Sequence, residues 1–303
     1  MGKILALMCP GQGSAHIGMG EDLYQTSSYA RTVYHFADDY LRGYLRQILP
    51  FEHSDLTLSS ICFEGPRELL ELPSIAPLAV FVTSIANLRL LEEIAEEVEW
   101  IVAGHSLGEY TALVASRVLT YQQALSLVLI RTRLMVHHAS RINGAMVATL
   151  GLTEAQVAEI CQKHQPTGVI VMANYNCPGQ IVLSGDKLVL ENACQDILRL
   201  GGKTRELNVG GPWHSPLMQP AADKFKPHLR RAKIASPTGT LYLSGTGRKV
   251  SAPATIRHHL RIQMVSPVLW EKTIRNMLRD GVTDFIELEP SRILRGFLKR
   301  IKS

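Results

Sequence analysis

The chain has 303 residues, 46% of them hydrophobic, which is enough apolar material for one large domain or two unequal ones. Lys and Arg total 32 against 27 Asp and Glu; this formal charge of +5 is small and scattered, which argues against nucleic acid as a partner and leaves an acidic protein open. Five cysteines, Cys9, Cys62, Cys161, Cys177 and Cys194, never fall in a C-x-x-C spacing, which argues against a zinc or dithiol motif and fits reduced thiols in a cytoplasmic protein.

In chain order, Ile4 to Cys9 is an apolar run expected as a buried strand, and it enters the glycine-rich loop Pro10-Gly-Gln-Gly-Ser14. The run is too short for a signal peptide, and no segment is long and apolar enough to span a membrane. The loop lacks the Gly-Lys-Ser/Thr ending of a phosphate loop. Helical patterning dominates from about Tyr29 to Leu91, with a polar break at Glu52-His-Ser-Asp55. Trp100 to Gly104 then reads as a strand, and Tyr110 to Ser116 as part of a helix. A second helix is expected from Tyr121 to His138. From Ala145 the pattern changes. Strands are predicted at Ala145–Leu150, Val169–Ala173, Gln180–Ser184 and Lys203–Val209. Helices are predicted from Thr153, with a Thr153-to-Gln156 capping box, and over Leu188–Leu200. That order, βαββαβ, is the pattern of a ferredoxin-like unit. The expected architecture is α/β, with a catalytic domain over 1–139 and 211–303 and the small subdomain over 140–210. The chain returns at Gly210-Gly-Pro-Trp-His214, and a cleft between the two parts is the expected place for a substrate. The basic run from Arg292 to Lys302 reads equally as a solvated helix end and as a docking patch.

The chemistry concentrates at Gly104-His-Ser-Leu-Gly108, a G-x-S-x-G spacing between the expected strand and helix. Small residues on either side of Ser106 let the turn close and present its hydroxyl as a nucleophile. The Leu107 N–H, at the start of the helix, points an unpaired donor toward a developing oxyanion. A serine needs a base. Of the eleven histidines, His105 is expected to point away, His137 and His138 end a helix, and His258 and His259 read as the solvated face of a polar helix. His214, on a loop, is the best candidate. Arg131 lies on the helix from Tyr121 among Leu127 and Ile130, so its guanidinium is expected to be covered. It needs an anion, either an intramolecular acid or a substrate carboxylate held bidentately.

Together these residues resemble the malonyl-CoA:acyl carrier protein transacylase family, shared by fatty acid synthesis and polyketide assembly. The resemblance runs along almost the whole chain: Pro10-Gly-Gln-Gly-Ser14, Gly104-His-Ser-Leu-Gly-Glu-Tyr110, Arg131 with Met135, Asn176-Cys-Pro-Gly-Gln180, His214-Ser-Pro-Leu-Met218, Gln263 before Pro267-Val268 and Trp270, and Leu294-x-Gly-x-Leu298. It implies an α/β hydrolase-like domain carrying a ferredoxin-like insert. It implies that Ser106 is acylated, that His214 serves as base and then acid, and that the backbone carbonyl of Gln263 receives the other imidazole N–H. Backbone amides of Gln12 and Leu107 would form the oxyanion hole, and Arg131, 25 positions after the serine, would hold the malonyl carboxylate. Such a clamp disfavours a neutral acetyl group by ~10–100-fold. Asn176 and Trp213 are further candidates for contact with substrate. Malonyl-CoA and an acyl carrier protein are the implied partners, with no nucleic acid and no membrane. No cofactor or metal is implied, since the coenzyme A thioester and the carrier phosphopantetheine are substrates.

The sequence departs from the family pattern at Ala76, which stands where glutamine usually precedes Pro77, at Ala15, and at Trp213, where a smaller side chain or phenylalanine is usual. An indole beside the base narrows or reshapes the acyl pocket, or simply packs against the insert. Leu107 after the nucleophile resembles malonyl-type rather than methylmalonyl-type enzymes. Two other readings use the same scaffold, an editing hydrolase that clears stalled acyl groups from carriers and a non-catalytic carrier-docking module. Retention of Arg131 counts against the first, and intact Ser106, His214 and Gln12 against the second. An ordinary esterase is disfavoured because no acid stands out between Ser106 and His214.

Overall fold

The computed structural model describes residues 5–94 and 100–303; Ile4, assigned above to the first strand, lies outside them. Among the described residues the chain forms nine strands: β1 (Leu5–Cys9), β2 (Ile101–Gly104), β3 (Gly144–Leu150), β4 (Ile170–Cys177), β5 (Gln180–Asp186), β6 (Lys203–Glu206), β7 (Thr240–Leu243), β8 (Arg248–Val250) and β9 (Asp284–Glu287). Helices alternate with them, so the protein is mixed α/β with a parallel sheet. The chain divides into two compact units, one of Met1–Thr132, Ala235–Leu241 and Asp284–Leu294, the other of Arg133–Ile234, Tyr242–Thr283 and Arg295–Ser303.

The first unit is organised by β1. Its residues Leu-Ala-Leu-Met-Cys are apolar on both faces, as a strand covered on both sides requires, and all but Leu5 are buried. β2 and β9 flank it in parallel, with Met8 opposite Ala103 and Glu287 and Cys9 opposite Gly104. The helix Ala76–Ile94 buries every residue from Ala76 to Ala86, so it is apolar all round and runs through the interior. Tyr34, on the helix Ser28–Ile48, donates or accepts a 2.7 Å hydrogen bond with Thr83 on that helix, which keeps both hydroxyls satisfied out of water. The break expected at Glu52–Asp55 is a short 3-10 turn, Phe51–His53, followed by the helix Leu58–Phe63.

The second unit contains a four-stranded antiparallel sheet in the order β4-β5-β3-β6. One face packs on the helices Glu154–His164 and Lys187–Arg199. Val147, Ile170, Ile181 and Leu183 from the strands meet Val157, Ile160, Val189 and Ile197 from the helices. Each such side chain contributes ~1.5–3 kcal/mol by leaving water. The capping box is present: Thr153 Oγ1 accepts from the Gln156 N–H, and Gln156 Oε1 accepts from the Thr153 N–H at 2.9 Å.

Several boundaries and one burial differ from the sequence reading, and four of these differences have a tertiary reason. β4 continues four residues beyond Ala173, through Asn-Tyr-Asn-Cys, because register shifts keep it paired to β5. On its other side, Val268 gives its carbonyl to the Tyr175 N–H at 2.9 Å and its N–H to the Ala173 carbonyl at 2.8 Å. β6 ends at Glu206 rather than Val209, where the chain turns into Gly210 at φ 82°. The helix predicted to begin at Leu188 starts one residue earlier, at Lys187, whose N–H is held by the Asn143 carbonyl. His259, expected on a solvated face with His258, is only 4% exposed. Its ring lies against Gly245, where a Cβ would come within 2.3 Å of Cε1.

The glycines around Ser106 are set by close approach of backbone. A Cβ on Gly108 would sit 2.0 Å from the Cys9 carbonyl oxygen, and one on Gly104 would sit 2.1 Å from the Glu109 nitrogen. Neither neighbour is a flexible side chain. Gly108→Ala is expected to lower stability by ~3 kcal/mol or more, read from the midpoint of chemical denaturation; a midpoint at the parent value would show that the two segments are not packed this closely.

Candidate active site

In the first unit, β2 delivers the chain to Ser106 and the helix Gly108–Ala115 carries it away. Ser106 has φ 53°, the left-handed region that a residue with a Cβ enters at a cost of ~1–2 kcal/mol. The conformation is held from both sides. The His105 N–H donates to the Cys9 carbonyl at 2.9 Å, and the Ser106 carbonyl accepts from the Glu109 N–H at 3.1 Å. This is the strand, turn and helix of a nucleophile elbow. Leu107 directly precedes the helix as its N-cap residue, and the first turn closes through the Gly108, Glu109 and Tyr110 N–H groups on the His105, Ser106 and Leu107 carbonyls. Gln12 begins a 3-10 turn, Gln12–Ser14, immediately after the loop that leaves β1. Ser14 Oγ donates to the Gly11 carbonyl at 2.7 Å and ties that turn.

Arg131 belongs to the same unit and is 1% exposed, on the helix Tyr121–Ala139. Its guanidinium carbon lies 5.9 Å from the centre of the Tyr110 ring. Burial pulls the arginine pKa down, and the neighbouring Tyr110 and Glu109 push it back up. Glu109 is itself buried, so both readings left open by the sequence, an internal acid and a bound carboxylate, find an acid or a cation in place. A guanidinium keeps its charge in either. Tyr110, read from sequence only as part of the Gly104–Tyr110 motif and the helix after it, is folded beside Arg131.

In the second unit, His214 is 4% exposed and has φ 61°. Its N–H donates to the Met264 carbonyl at 3.0 Å. Nδ1 lies 3.0 Å from both the Gln263 and the Ser266 carbonyl oxygens. Carbonyls only accept, so Nδ1 carries a proton, and in the neutral imidazole the lone pair is on Nε2. Gln263, Met264 and Ser266 all sit in or just after the 3-10 turn Gln263–Val265, so one short turn holds the imidazole through two carbonyls and the His214 backbone through a third. Ser266 had no sequence signal, because a backbone carbonyl acts whatever its side chain. Trp213 is buried, its indole N–H donates to the Val209 carbonyl at 2.9 Å, and its ring lies against Gly211, where a Cβ would meet it at 2.6 Å. Asn176 is 5% exposed near the end of β4. The hairpin after it is fastened by Arg300, which donates to the Pro178 carbonyl at 2.6 Å and to Gln180 at 3.1 Å. That takes one cation of the basic C-terminal run into an internal role.

Among the described residues, no group of three or more His, Cys, Asp or Glu is arranged to hold a metal ion, and no helix is long and apolar enough to cross a membrane. The five cysteines are free thiols, four of them buried.

A parallel α/β sheet bearing a left-handed serine between strand and helix defines a class, the α/β proteins with a nucleophile elbow. Residues 7–300 match the family model described as the acyl transferase domain. The malonyl CoA-acyl carrier protein transacylase of Bacillus subtilis is 37% identical, over 99% of this chain and 91% of the relative. That of Haemophilus influenzae is 34% identical, over 99% and 92%. The solved structure of the Coxiella burnetii transacylase superposes with a TM-score of 0.91 at 31% identity, over 99% of this chain and 92% of that one. A malonyl-transacylase in complex with its type II PKS acyl-carrier protein superposes at 0.90 with 30% identity, over 99% and 93%. The chain belongs to the acyl transferase domain family, among the malonyl CoA-acyl carrier protein transacylases.

The left-handed backbone at residue 106 yields a stability test. Ser106→Gly is expected to raise stability by ~1 kcal/mol in a denaturation experiment, because glycine enters this region without the Cβ clash. A lower midpoint would mean that the serine is not strained.

Proposed function

We propose that the protein transfers a malonyl group from malonyl-CoA to the phosphopantetheine thiol of an acyl carrier protein, by a ping-pong route through Ser106. The observation that carries this reading is Ser106 itself, held in a left-handed turn at a helix start. The names of the relatives supply the acyl group and the carrier.

In this reading His214 Nε2 takes the Ser106 hydroxyl proton as the oxygen attacks the thioester carbon. The tetrahedral oxyanion is stabilised by the backbone N–H groups of Gln12 and Leu107, donors whose loss typically costs ~10²–10³ in rate. The C–S bond breaks, the protonated imidazole returns its proton to the departing thiolate, and coenzyme A leaves. The carrier thiol then reverses the sequence, giving its proton to His214 and taking the malonyl group from Ser106. The carbonyls of Gln263 and Ser266 fix the imidazole tautomer, so no aspartate is needed. Arg131 holds the free carboxylate. We assign Trp213 to shaping the acyl pocket and Asn176 to substrate contact. Both ligands in this chemistry are substrates, and no resident cofactor enters it.

The organisation that goes with this reading is an α/β hydrolase-like catalytic domain over 1–139 and 211–303, with a ferredoxin-like subdomain over 140–210. The strand order β4-β5-β3-β6 and its two helices on one face support the latter. Free thiols support a reducing, cytoplasmic setting.

Intact-mass measurement after brief incubation with equimolar malonyl- and acetyl-CoA, followed by a phosphopantetheinylated carrier, tests the transfer. A malonyl adduct is expected on the parent, absent from Ser106→Ala, that moves to the carrier. An adduct lost to water with the carrier left bare would favour the editing hydrolase instead. Arg131→Ala is expected to lower malonyl loading by ~10-fold or more relative to acetyl. Malonyl loading at the parent rate would return Arg131 to a structural ion pair.

A further inference from the structure

Tyr110 is fully buried, yet among the described residues its hydroxyl has no hydrogen-bond partner. Leaving a buried hydroxyl unpaired is costly, and a phenylalanine of the same shape would avoid the cost. The ring faces the Arg131 guanidinium at 5.9 Å. Its own N–H is bonded to the Leu107 carbonyl at 3.0 Å, which seats it in the first turn of the helix that follows Ser106. A guanidinium only donates, and a phenol beside it has a proton to give. A carboxylate only accepts and has two oxygens, so one group can accept from both the guanidinium and the hydroxyl. Glu109 acts on both residues through its charge but makes no hydrogen bond to the hydroxyl. Burial pushes the phenol pKa up, so the donor keeps its proton.

We propose that the Tyr110 hydroxyl donates a second hydrogen bond to the acyl carboxylate held at Arg131, making Tyr110 a selectivity-determining residue. This rests on the malonyl reading above. Tyr110 therefore discriminates by charge on the acyl group, and the helix that opens after Ser106 also carries part of the acyl-recognition surface.

The test is steady-state loading of parent and Tyr110→Phe with malonyl-CoA and with acetyl-CoA. The ratio of kcat/KM for malonyl over acetyl is expected to fall by ~10-fold or more in the variant, chiefly through the KM for malonyl-CoA, as for loss of a hydrogen bond to a charged group. An unchanged ratio overturns the proposal. So does an equal loss with both substrates, which is what a purely structural role would produce. If the Phe variant melts early, 3-fluorotyrosine in place of Tyr110 keeps the hydroxyl as a stronger donor. The ratio must then rise, and a ratio at or below the parent value overturns the proposal. A parent enzyme that loads no malonyl at all removes the malonyl reading and this proposal with it, whereas a parent that loads malonyl while the ratio ignores Tyr110 sinks only the proposal.

Discussion

The geometry around Ser106 depends on how closely two stretches of backbone approach: the end of β1, at Cys9 and Pro10, and the start of the helix at Gly108. The Cα of Gly108 has room for hydrogen only, because the Cys9 and Pro10 carbonyls occupy the space a side chain would take. The His105 N–H donates to the same Cys9 carbonyl. With both flanks pinned, the intervening serine has few conformations left, and the one it takes is left-handed. The local strain is sustained by the apolar sheet beneath, where β1 is paired on both sides. A displacement of β1 would therefore move the serine and the neighbouring turn at Gln12 together.

Arg131 poses the opposite problem, a charge where the surroundings are apolar. Moving a guanidinium out of water costs several kcal/mol unless partners replace the solvent. The Tyr110 ring and the Glu109 carboxylate supply part of that replacement. Both come from the turn that follows Ser106, so the covalent position of the serine and the electrostatic environment of the arginine are set by the same few residues.

His214 is prepared by a different device. A catalytic imidazole is often oriented by a carboxylate, which also stabilises its charged form. At His214 two peptide carbonyls, from Gln263 and Ser266, accept hydrogen bonding from Nδ1–H. They favour the Nδ1–H tautomer, and they bring no negative charge into a buried position.

The sequence by itself determined what short range and periodicity control. The continuous apolar run of β1 was legible as a buried strand, the Thr153–Gln156 spacing as a capping box, and Gly104-His-Ser-Leu-Gly108 as a strand-to-helix turn, because each rests on neighbours within a few positions. Tertiary structure alone decided the rest. β4 runs past Ala173 because Val268, almost a hundred residues away, pairs with it. His259 is buried because the space beside Gly245 is open to its ring. Ser266 joins Gln263 at the imidazole through its carbonyl, a group every residue has and no sequence pattern marks. The environment of Arg131 likewise emerges only when Tyr110 and Glu109 are folded beside it. Local rules reach as far as one turn or one strand, whereas burial, pairing and the surroundings of a charge are set by segments distant in sequence.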